Sequence, residues 1–417
     1  MHFFRYRNGR LYAEDVPVKE IVEAYGTPLY IYSHGTLLRH FRAYDEAFDG
    51  VPHIICFALK ANSNTSILRL LARNGGGADV VSGGEVFRAL KAGIPSRRIV
   101  YAGVGKTEDE IRYALKSKIL MFNVESESEL LEINRIAGTM KVEAPVSLRI
   151  NPDIDPETHP YISTGLRKHK FGIPMEEAFE YYKLAGSLKN TKIVGIHKHI
   201  GSQITKVSPF VDALKKTLLL VDELEKRGVD IQYLDIGGGL GITYKDEEPP
   251  VPFDLAKNLL PLLRGRGLTI IVEPGRSIVG NAGILVTRVL YVKEGEDKDF
   301  VIVDAGMNDL IRPSFYGAYH HIQPLERRRR KSILADIVGP ICESGDFLGK
   351  EREMPDVKPG ECLAVMSAGA YGFTMSSNYN SRPRAAEVMV KGKDFALVNK
   401  RETYKDLVQG EAVPDFI

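Results

Sequence analysis

The chain has 417 residues, of which 44% are hydrophobic and 26% charged, and its formal net charge is +2. This length supports two domains with sizeable cores. The near-neutral charge gives no electrostatic reason to expect nucleic acid as a partner. No apolar run approaches the roughly 20 residues needed to span a bilayer, and the first residues lack a signal-peptide core. We therefore expect a cytoplasmic protein without a membrane partner.

The cysteines do not form a recognisable framework. Cys56, Cys342 and Cys362 are far apart and none belongs to a CxxC pair. An odd, scattered set argues against a disulfide scaffold or a zinc site. We expect three thiols and no metal.

Strand-like and helix-like segments alternate from the N-terminal region to about Gly275. Eight strand candidates are Ile54–Leu59, Ala78–Val81, Arg98–Ala102, Leu120–Val124, Pro145–Ile150, Ile193–His199, Tyr233–Ile236 and Thr269–Val272. Amphipathic helix candidates between them include Ser66–Arg73, Gly84–Lys91, Glu108–Lys116, Ser126–Ile136, Glu176–Leu184 and Phe210–Lys226. Eight β/α units in about 250 residues predict a (β/α)₈ TIM-type barrel rather than an open doubly wound sheet.

Beyond Gly275 the strand candidates follow one another without long helices. They are Ile284–Val292, Phe300–Val303, Ile333–Val338, Cys362–Met366, Ala386–Val390 and Phe395–Lys400. This pattern predicts a separate β-sandwich or β-barrel domain. The Asn8-Gly9 hairpin near the N-terminus has no place in a regular barrel, so we expect it to join that domain. The expected domains are residues 26–276 for the barrel and residues 1–25 plus 277–417 for the β domain.

Polar residues stand at the ends of the predicted barrel strands. Among them are Lys60, Asp79, Ser82, Asn151, His199, Gly237–Gly239 and Glu273. Since the carboxyl ends of barrel strands form one rim, these residues are expected to meet there. Lys60 in FALKAN either snorkels to solvent or, in a partly apolar pocket, serves as a free amine for a carbonyl.

Two glycine-rich stretches need separate interpretations. Gly237–Gly239 either cradles a phosphate or makes a tight structural turn, and its spacing does not fit a dinucleotide fingerprint. Gly103-Val-Gly-Lys-Thr107 resembles a P-loop, but Val100 occupies the position where that motif requires glycine. The sequence therefore argues against a nucleotide triphosphate site.

The remaining polar motifs also have two interpretations each. Glu273 and Arg276 flank a Pro-Gly turn, where they could form a surface ion pair or, if buried, bind a heteroaromatic nitrogen and a substrate anion. His197 and His199 lie on one face of a strand and could bind zinc, although a third ligand is not evident, or pack on a flat ring. A lysine, glycine amides, a carboxylate and a histidine together suit pyridoxal 5′-phosphate (PLP).

The chain resembles the fold-type III PLP-dependent decarboxylases, a group that is alanine racemase-like and ornithine decarboxylase-like. The resemblance is strongest to the diaminopimelate decarboxylase family. It covers nearly the whole chain through six motifs in family order: FALKAN, HKHIGSQ, DIGGGLG, EPGRS, GPICESGDFLG and AGAYGFTMSSNYNSRPR. It implies decarboxylation of meso-2,6-diaminopimelate to L-lysine and CO2, the last step of lysine biosynthesis.

The resemblance also implies residue roles. The implied catalytic residues are the Schiff-base Lys60, His199 stacked on the ring, Glu273 at the ring nitrogen, and the proton donor Cys342. Further cofactor-binding residues are Asp79, Ser202, Gly238, Gly239, Pro274, Gly275, Arg276 and Tyr371. Substrate-binding residues are Arg276, Arg312, Tyr316, Glu343 and Tyr371. The family is expected to be homodimeric, with Cys342 and Glu343 reaching into the partner's active site.

The sequence departs from the family at one motif position and leaves rivals open. Lys198 replaces the usual cysteine between the two histidines, and strand alternation points it away from the site. A related decarboxylase of basic amino acids or carboxynorspermidine would share the cofactor residues. A PLP-carrying protein without strong catalysis is disfavoured because such small barrels lack the β domain.

Overall fold

The computed structural model describes residues 2–155 and 170–417. The chain divides into two compact units. The barrel unit comprises Leu38–Thr243 and Glu247–Ile278, and the β unit comprises Met1–Leu37, Tyr244–Asp246 and Val279–Ile417.

The N-terminal segment begins with a small antiparallel sheet of β1 (Phe4–Arg7), β2 (Arg10–Ala13) and β3 (Val16–Pro17). Asn8 and Gly9 have φ angles of 48° and 77°, as a tight hairpin turn with right-handed strand twist requires. The elements α1 (Val18–Tyr25), β4 (Leu29–Ser33) and α2 (His34–Ala47) follow. The hairpin residues Phe4 and Leu11 are buried in one cluster with Ile284 of the β unit.

A closed parallel barrel forms the core of the barrel unit. Within the described residues its eight strands are β5 (His53–Ala58), β6 (Gly77–Val80), β7 (Ile99–Tyr101), β8 (Met121–Val124), β9 (Ala144–Asn151), β11 (Thr191–His197), β12 (Tyr233–Asp235) and β13 (Thr269–Val272). The short β10 (Ile173–Pro174) adds to β9. β13 closes the barrel on β5, with Ile270 opposite His53. The predicted barrel is confirmed.

Helices follow the barrel strands. They are α3 (Thr65–Ala72), α4 (Gly83–Ala92), α5 (Glu108–Ser117), α6 (Glu127–Met140), α7 (Ala178–Ser187), α8 (Ser208–Lys226), α9 (Pro252–Leu263) and the short α10 (Arg276–Val279). Side-chain oxygens of Ser82, Thr107 and Ser126 each accept a backbone N–H of the following helix. These caps satisfy amides that a helix leaves open, so the chain turns from strand to helix at the barrel rim.

The β unit contains most of the second half of the chain. Its strands are β14 (Gly283–Lys293), β15 (Asp299–Val303), β16 (Ile322–Pro324), β17 (Ser332–Val338), β18 (Phe347–Pro355), β19 (Cys362–Val365), β20 (Ala386–Lys391) and β21 (Asp394–Asn399). It also contains the short helices α11 (Arg312–Tyr316) and α12 (Tyr404–Leu407). The predicted β domain that takes in N-terminal strands is confirmed, because the hairpin residues Phe4 and Leu11 share a buried cluster with Ile284. β4, which falls in the range expected for the barrel, instead belongs to the β unit and pairs with both β14 and β20.

Several local features differ from the sequence expectation. The predicted strand through His199 ends at His197, where its ladder to β9 ends, so His199 lies on the following loop. The strands β16 and β18 and the helix α11 were not predicted, since none has a clear hydrophobic period. In the described part of the chain, no helix combines the length and apolar composition that crossing a membrane requires.

Candidate active site

Lys60 lies directly beyond the end of β5, in the short helical turn Leu59–Ala61. Its Nζ donates a hydrogen bond to the carboxylate of Asp79, which is the third residue of β6. The Lys60 side chain is 37% exposed, whereas Asp79 is fully buried. A lysine that snorkels to solvent would direct its amine only to water. The Lys60 amine instead donates to the buried Asp79, while its side chain stays partly exposed to solvent.

Buried carboxyls surround this amine. Burial raises the pKa of Asp79 above its usual value and the negative charge of Glu273 adds to the effect, whereas Lys60 opposes it. Burial also raises the pKa of Glu85 to about 7, and Lys60 again opposes the shift. The sequence had not singled out Glu85, which follows the Ser82 cap on α4. Lys60 is thus the positive group that stabilises the charged form of both acids.

The histidine loop and the glycine turn are bonded to each other. The Gly238 N–H donates to Nδ1 of His199 at 3.2 Å. Burial lowers the pKa of His199 well below its usual value, and the charge of Arg149 adds to the effect. The ring is therefore neutral and its Nδ1 serves as an acceptor. A neutral imidazole in a fixed orientation suits packing on a flat ring.

The glycines of the turn are required by close backbone packing. A Cβ on Gly238 would lie 2.0 Å from the carbonyl oxygen of Glu273, and one on Gly239 would lie 2.3 Å from that of Gly201. Gly239 also has a φ of 116°, which side chains rarely adopt. These close contacts support the interpretation of a tight structural turn, and two of its amides are already used, since Gly237 donates to Asp235 and Gly238 to His199.

Arg276 begins α10, immediately beyond the Glu273-Pro274-Gly275 turn. Its NH2 and Nε atoms donate to the hydroxyl of Ser202 at 3.1 and 3.3 Å. Glu273 and Arg276 are only 5% and 6% exposed, so neither belongs to a surface ion pair. A Cβ on Gly275 would lie 3.1 Å from the Cβ atoms of Ala58 and Ala61, which brings this turn close to the Lys60 turn.

Glu273 lies among buried polar groups of neighbouring strands. Its Oε2 is 3.5 Å from Nε2 of His197, and one of its oxygens lies within 4.8 Å of an oxygen of Asp235 at the end of β12. Its Oε1 is buried and has no hydrogen-bond partner in the described part of the chain. Burial raises the pKa of Glu273, but His197 and Lys60 outweigh it and hold the pKa well below the usual value. An ionised carboxylate with one unsatisfied oxygen fits a ligand N–H.

The same cluster is the best candidate for a metal among the described residues. One ligand atom from each of His197, Asp235 and Glu273 lies within 4.8 Å of the others. The sequence had instead paired His197 with His199 and had found no third ligand. Both oxygens of Asp235 already accept N–H groups, from Gly237 at 2.9 Å and Asn123 at 3.2 Å. These bonds favour a hydrogen-bond network over a cation site.

Asp235 and Asn123 are polar groups that the sequence analysis missed as site residues. Their positions carried a signal, since Asp235 ends a strand just before the glycine turn and Asn123 lies in β8. Both are fully buried. Because buried polar side chains need partners, an Asp and an Asn inside apolar strands point to a network.

Lys198 is fully buried, and its amine has no hydrogen-bond partner among the residues that the structure describes. Burial lowers its pKa to about 8, an effect that the charge of Asp235 only partly opposes. A lysine in the unfolded chain keeps a pKa near 10.5. At a pH between about 8 and 10.5, folding therefore releases the proton of the Lys198 amine. The stability contribution of Lys198 is therefore complete above about pH 10.5 and is lost as the pH falls through about 8.

We expect Lys198→Met to raise the thermal midpoint at pH 7 by several degrees. At that pH the substitution removes a buried, unpaired ammonium that costs roughly 3 kcal/mol. The gain should shrink as the pH rises towards 10, where the native amine is neutral. Lys192→Met, at an exposed position of β11, is the control, and its effect on the thermal midpoint should be independent of pH. A gain that is equal at pH 7 and pH 10 would contradict the assigned proton release.

The predicted substrate residues of the β unit form two groups. Arg312, at the start of α11, donates to Nε2 of His320 at 2.7 Å, and its guanidinium lies 4.6 Å from the centre of the Tyr244 ring. Nδ1 of His320 donates to the Met366 carbonyl at 2.8 Å, which fixes the tautomer that can accept from Arg312. Arg312 is therefore held in place by its neighbours, and Tyr316 ends the same short helix.

The second group surrounds Cys342. The Cys342 side chain is exposed and its N–H donates to Asn380 Oδ1 at 3.1 Å, so it is not a buried structural thiol. The neighbouring carboxylate of Glu343 raises the pKa of Tyr379 above its usual value. The buried Asp346 accepts the N–H groups of Met307 and Ile341, both at 2.6 Å, and thereby fixes the loop that carries Cys342. Tyr371 occupies a left-handed backbone conformation, with a φ of 55°.

Comparison with known proteins accounts for this arrangement. Residues 34–280 match the family model of the pyridoxal-dependent decarboxylase, pyridoxal binding domain. The diaminopimelate decarboxylase of Aquifex aeolicus is 55% identical over 98% of this chain and 97% of its own length. The one from Vibrio cholerae serotype O1 is 53% identical over 99% of both chains. The crystal structure of the Helicobacter pylori diaminopimelate decarboxylase complexed with L-lysine has a TM-score of 0.91 at 46% identity, covering 94% of this chain and 98% of that chain. With a barrel whose lysine, histidine and carboxylate suit a pyridine ring, this chain belongs to the pyridoxal-dependent decarboxylase family.

Proposed function

We propose that this chain uses PLP to decarboxylate meso-2,6-diaminopimelate to L-lysine and CO2, the last step of lysine biosynthesis. The observation that carries the proposal is the identity of more than half of the residues, over almost the full length, to two diaminopimelate decarboxylases. Similarity that extends across both units supports the same reaction as well as the same fold. The chain is thus a carboxy-lyase.

The residues of the barrel unit fit the cofactor. The accessible amine of Lys60 would hold its aldehyde carbon, and the unsatisfied Oε1 of Glu273 would accept its ring N–H. The neutral His199 suits the ring face. We assign the remaining cofactor contacts from their motifs to Asp79, Ser202, Gly238, Gly239, Pro274, Gly275, Arg276 and Tyr371. When bound, PLP supplies an electron sink for the pair left behind as carbon dioxide departs.

The protein's own groups then control protons and orientation. His197 and Lys60 lower the pKa of Glu273, so this carboxylate stays ionised and would keep a proton on the ring nitrogen of the bound cofactor. Asp79 holds the Lys60 amine at the rim before the substrate arrives. Cys342, exposed on its loop, is the group we assign to protonate the substrate carbon after decarboxylation. Its exposure suits a donor that must reach another molecule.

The distal contacts argue for a substrate with an amino-acid group at each end. Arg276 and Arg312 suit a distal carboxylate, and Glu343 suits a distal ammonium. We assign Tyr316 and Tyr371 to the same substrate from their motifs. Ornithine and arginine have no distal carboxylate, so they would leave the arginines without a partner. A decarboxylase of basic amino acids or of carboxynorspermidine is the alternative, and it would differ in these contacts alone.

The test offers PLP-loaded protein meso-diaminopimelate, L-ornithine and L-arginine separately, with carbon dioxide release and product chirality as readouts. We expect turnover of diaminopimelate alone, with L-lysine as product. Turnover of ornithine or arginine instead would show that Arg276, Arg312 and Glu343 are misassigned, while the cofactor residues would stand.

We also propose a homodimer in which Cys342 and Glu343 of one subunit complete the site of the other. Mixing inactive Lys60→Ala and Cys342→Ala proteins after dissociation should restore activity, because half of the random dimers are mixed and each contains one intact site. Activity should return to about a quarter of the wild-type value. No recovery, or an active monomer in sedimentation, would contradict the shared site. The expected cytoplasmic location remains a prediction.

A further inference from the structure

An open cavity of about 840 Å³ lies in the β unit, beside β18 and the short helix α11. That volume is within the range of roughly 300 to 1,000 Å³ that is typical of small-molecule sites. Every residue that lines the cavity belongs to the β unit, and none is assigned above to the cofactor or the substrate. Its ligand therefore has to be inferred from its own lining.

Arg352 lines this cavity and lies against an aromatic ring. Its Cζ is 3.7 Å from the centre of the Tyr319 ring, which orients the guanidinium. The side chain is partly buried, and its buried Nε has no hydrogen-bond partner in the described part of the chain. Nor does it form an ion pair with any acid that the structure describes. Because burying a charge without acceptors is unfavourable, the guanidinium favours an anion that offers it two oxygens.

A β-bulge in β18 determines the position of Arg352. Gly349 pairs with Ile337 of β17, whereas Arg352 pairs with Ala335, so β18 has an extra residue at this point. In a regular strand Gly349 and Arg352 would face opposite sides, but the bulge puts them on the same side. A Cβ on Gly349 would lie 2.8 Å from Nε of Arg352. The glycine therefore leaves the space that the arginine side chain fills.

The bulge is held by a buried acid. Glu351 has a φ of 51°, a left-handed conformation that is uncommon for a residue other than glycine. Its N–H donates to Oδ1 of Asp336 at 2.7 Å, and Oδ2 of Asp336 lies 2.9 Å from Nζ of Lys298. Asp336 is only 5% exposed. Since strained backbone often occurs at binding sites, this geometry supports a function for the bulge.

Further charged residues give the lining an excess of positive charge. Lys245 and Lys350 also line it, and Nζ of Lys350 lies 4.2 Å from the centre of the Phe347 ring. The acids of the lining are Glu351 and Glu353. Oε1 of Glu351 lies 3.6 Å from Nζ of Lys298, which is outside the lining and offsets part of its charge. The local potential therefore attracts anions.

We propose that this cavity binds a small organic anion, whose carboxylate or phosphate group pairs with Arg352 while its apolar body lies against neighbouring apolar side chains. Those side chains include Phe347 and Leu334, a leucine that is 42% exposed. Apolar surface beside a guanidinium without an acid partner matches a molecule that has both kinds of surface. Lys350 adds attraction as a flexible point charge. The site goes beyond the proposed decarboxylation and does not depend on it.

The experiment titrates PLP-loaded, full-length protein with phenylacetate and with phenyl phosphate, and measures binding by calorimetry. Phenylacetamide has a similar shape but no charge, and it is the control ligand. We expect at least one of the anions to bind at least about tenfold more tightly than the amide, because it gains a charge-assisted pair with Arg352. The tighter of the two anions identifies the preferred head group. Equal affinity for the anions and the amide would overturn the proposal.

Substitutions show whether the anion binds in this cavity. Arg352→Gln should weaken anion binding at least about tenfold, whereas Arg329→Gln, an exposed position outside the lining, should not change it. If Arg352→Gln does not fold, the exposed charge reversal Lys350→Glu should still weaken binding about tenfold. The kcat and KM for the amino-acid substrate should stay at wild-type values in every folded variant. Anion binding that survives these cavity substitutions would place the anion elsewhere and contradict the proposal.

Sedimentation distinguishes a small ligand from a second copy of this chain. If the cavity binds a small anion, Arg352→Gln and wild-type proteins should have the same oligomeric state. A variant that dissociates where the wild-type protein does not would show that Arg352 pairs with an acidic group of another subunit. That result would make the proposed small-molecule site wrong.

Discussion

Replacing Lys60 with alanine is expected to lower carbon dioxide release from diaminopimelate by at least about a thousandfold, because no other amine takes its place. The Lys60 amine lies at the carboxyl end of β5, is held by Asp79, and remains 37% exposed. Without it the aldehyde of PLP loses its covalent anchor. Borohydride treatment of wild-type protein should therefore retain the cofactor on the peptide containing residue 60, and the variant should retain none there.

The control for this experiment is Lys257→Ala, which removes an exposed amine from α9. It should keep both turnover and cofactor labelling. PLP binding distinguishes loss of the anchoring amine from misfolding. A misfolded Lys60→Ala protein would not bind PLP at all, whereas a folded one would lose only the covalent attachment. A soluble Lys60→Ala protein with near-wild-type rates would exclude Lys60 as the anchoring amine.

The barrel could be predicted because its signals are local. Each strand is a short apolar run, each helix has an apolar face, and caps such as Thr107 mark where one becomes the other. Strand β4 illustrates what local signals omit. Its residue Leu29 pairs with Val286 and Ala386, which are far away in the sequence. Pairing at such separations depends on the assembled sheet, so the sequence gives its strand character and not its neighbours.

The candidate site also has some features that the local sequence predicts and others that depend on how the chain packs. Lys60, Asp79, His199 and Glu273 could be placed on one rim from strand order alone. The closeness of the Asp235 and Glu273 carboxyls could not, because it depends on β12 and β13 lying side by side at their actual register. Strand alternation was used to predict the direction of Lys198, but Lys198 lies beyond the end of β11, and the sequence did not show that its amine would be buried without a partner among the described residues. Residue type and spacing predict position, whereas burial and partners depend on packing.

Replacing Glu273 with glutamine is expected to lower kcat about 100- to 1,000-fold, the usual loss when one preorganised charge is removed from a buried site. Glutamine has the same shape, so the contacts to His197 and Asp235 can adapt. It carries no negative charge, however, and cannot keep the ring nitrogen protonated. The electron sink weakens while Lys60 still anchors the cofactor, so PLP should remain bound at close to wild-type occupancy.

Measuring kcat and bound PLP together shows whether Glu273 acts in the catalytic step or only in binding the cofactor. A large loss of kcat with PLP retained supports the charge of Glu273, which Oε1 offers to a ligand without any competing partner. The exposed substitution Glu46→Gln should change neither quantity. If Glu273→Gln loses PLP in proportion to activity, Glu273 acts in binding alone. If kcat is unchanged, the protonation of the ring nitrogen does not depend on this carboxylate.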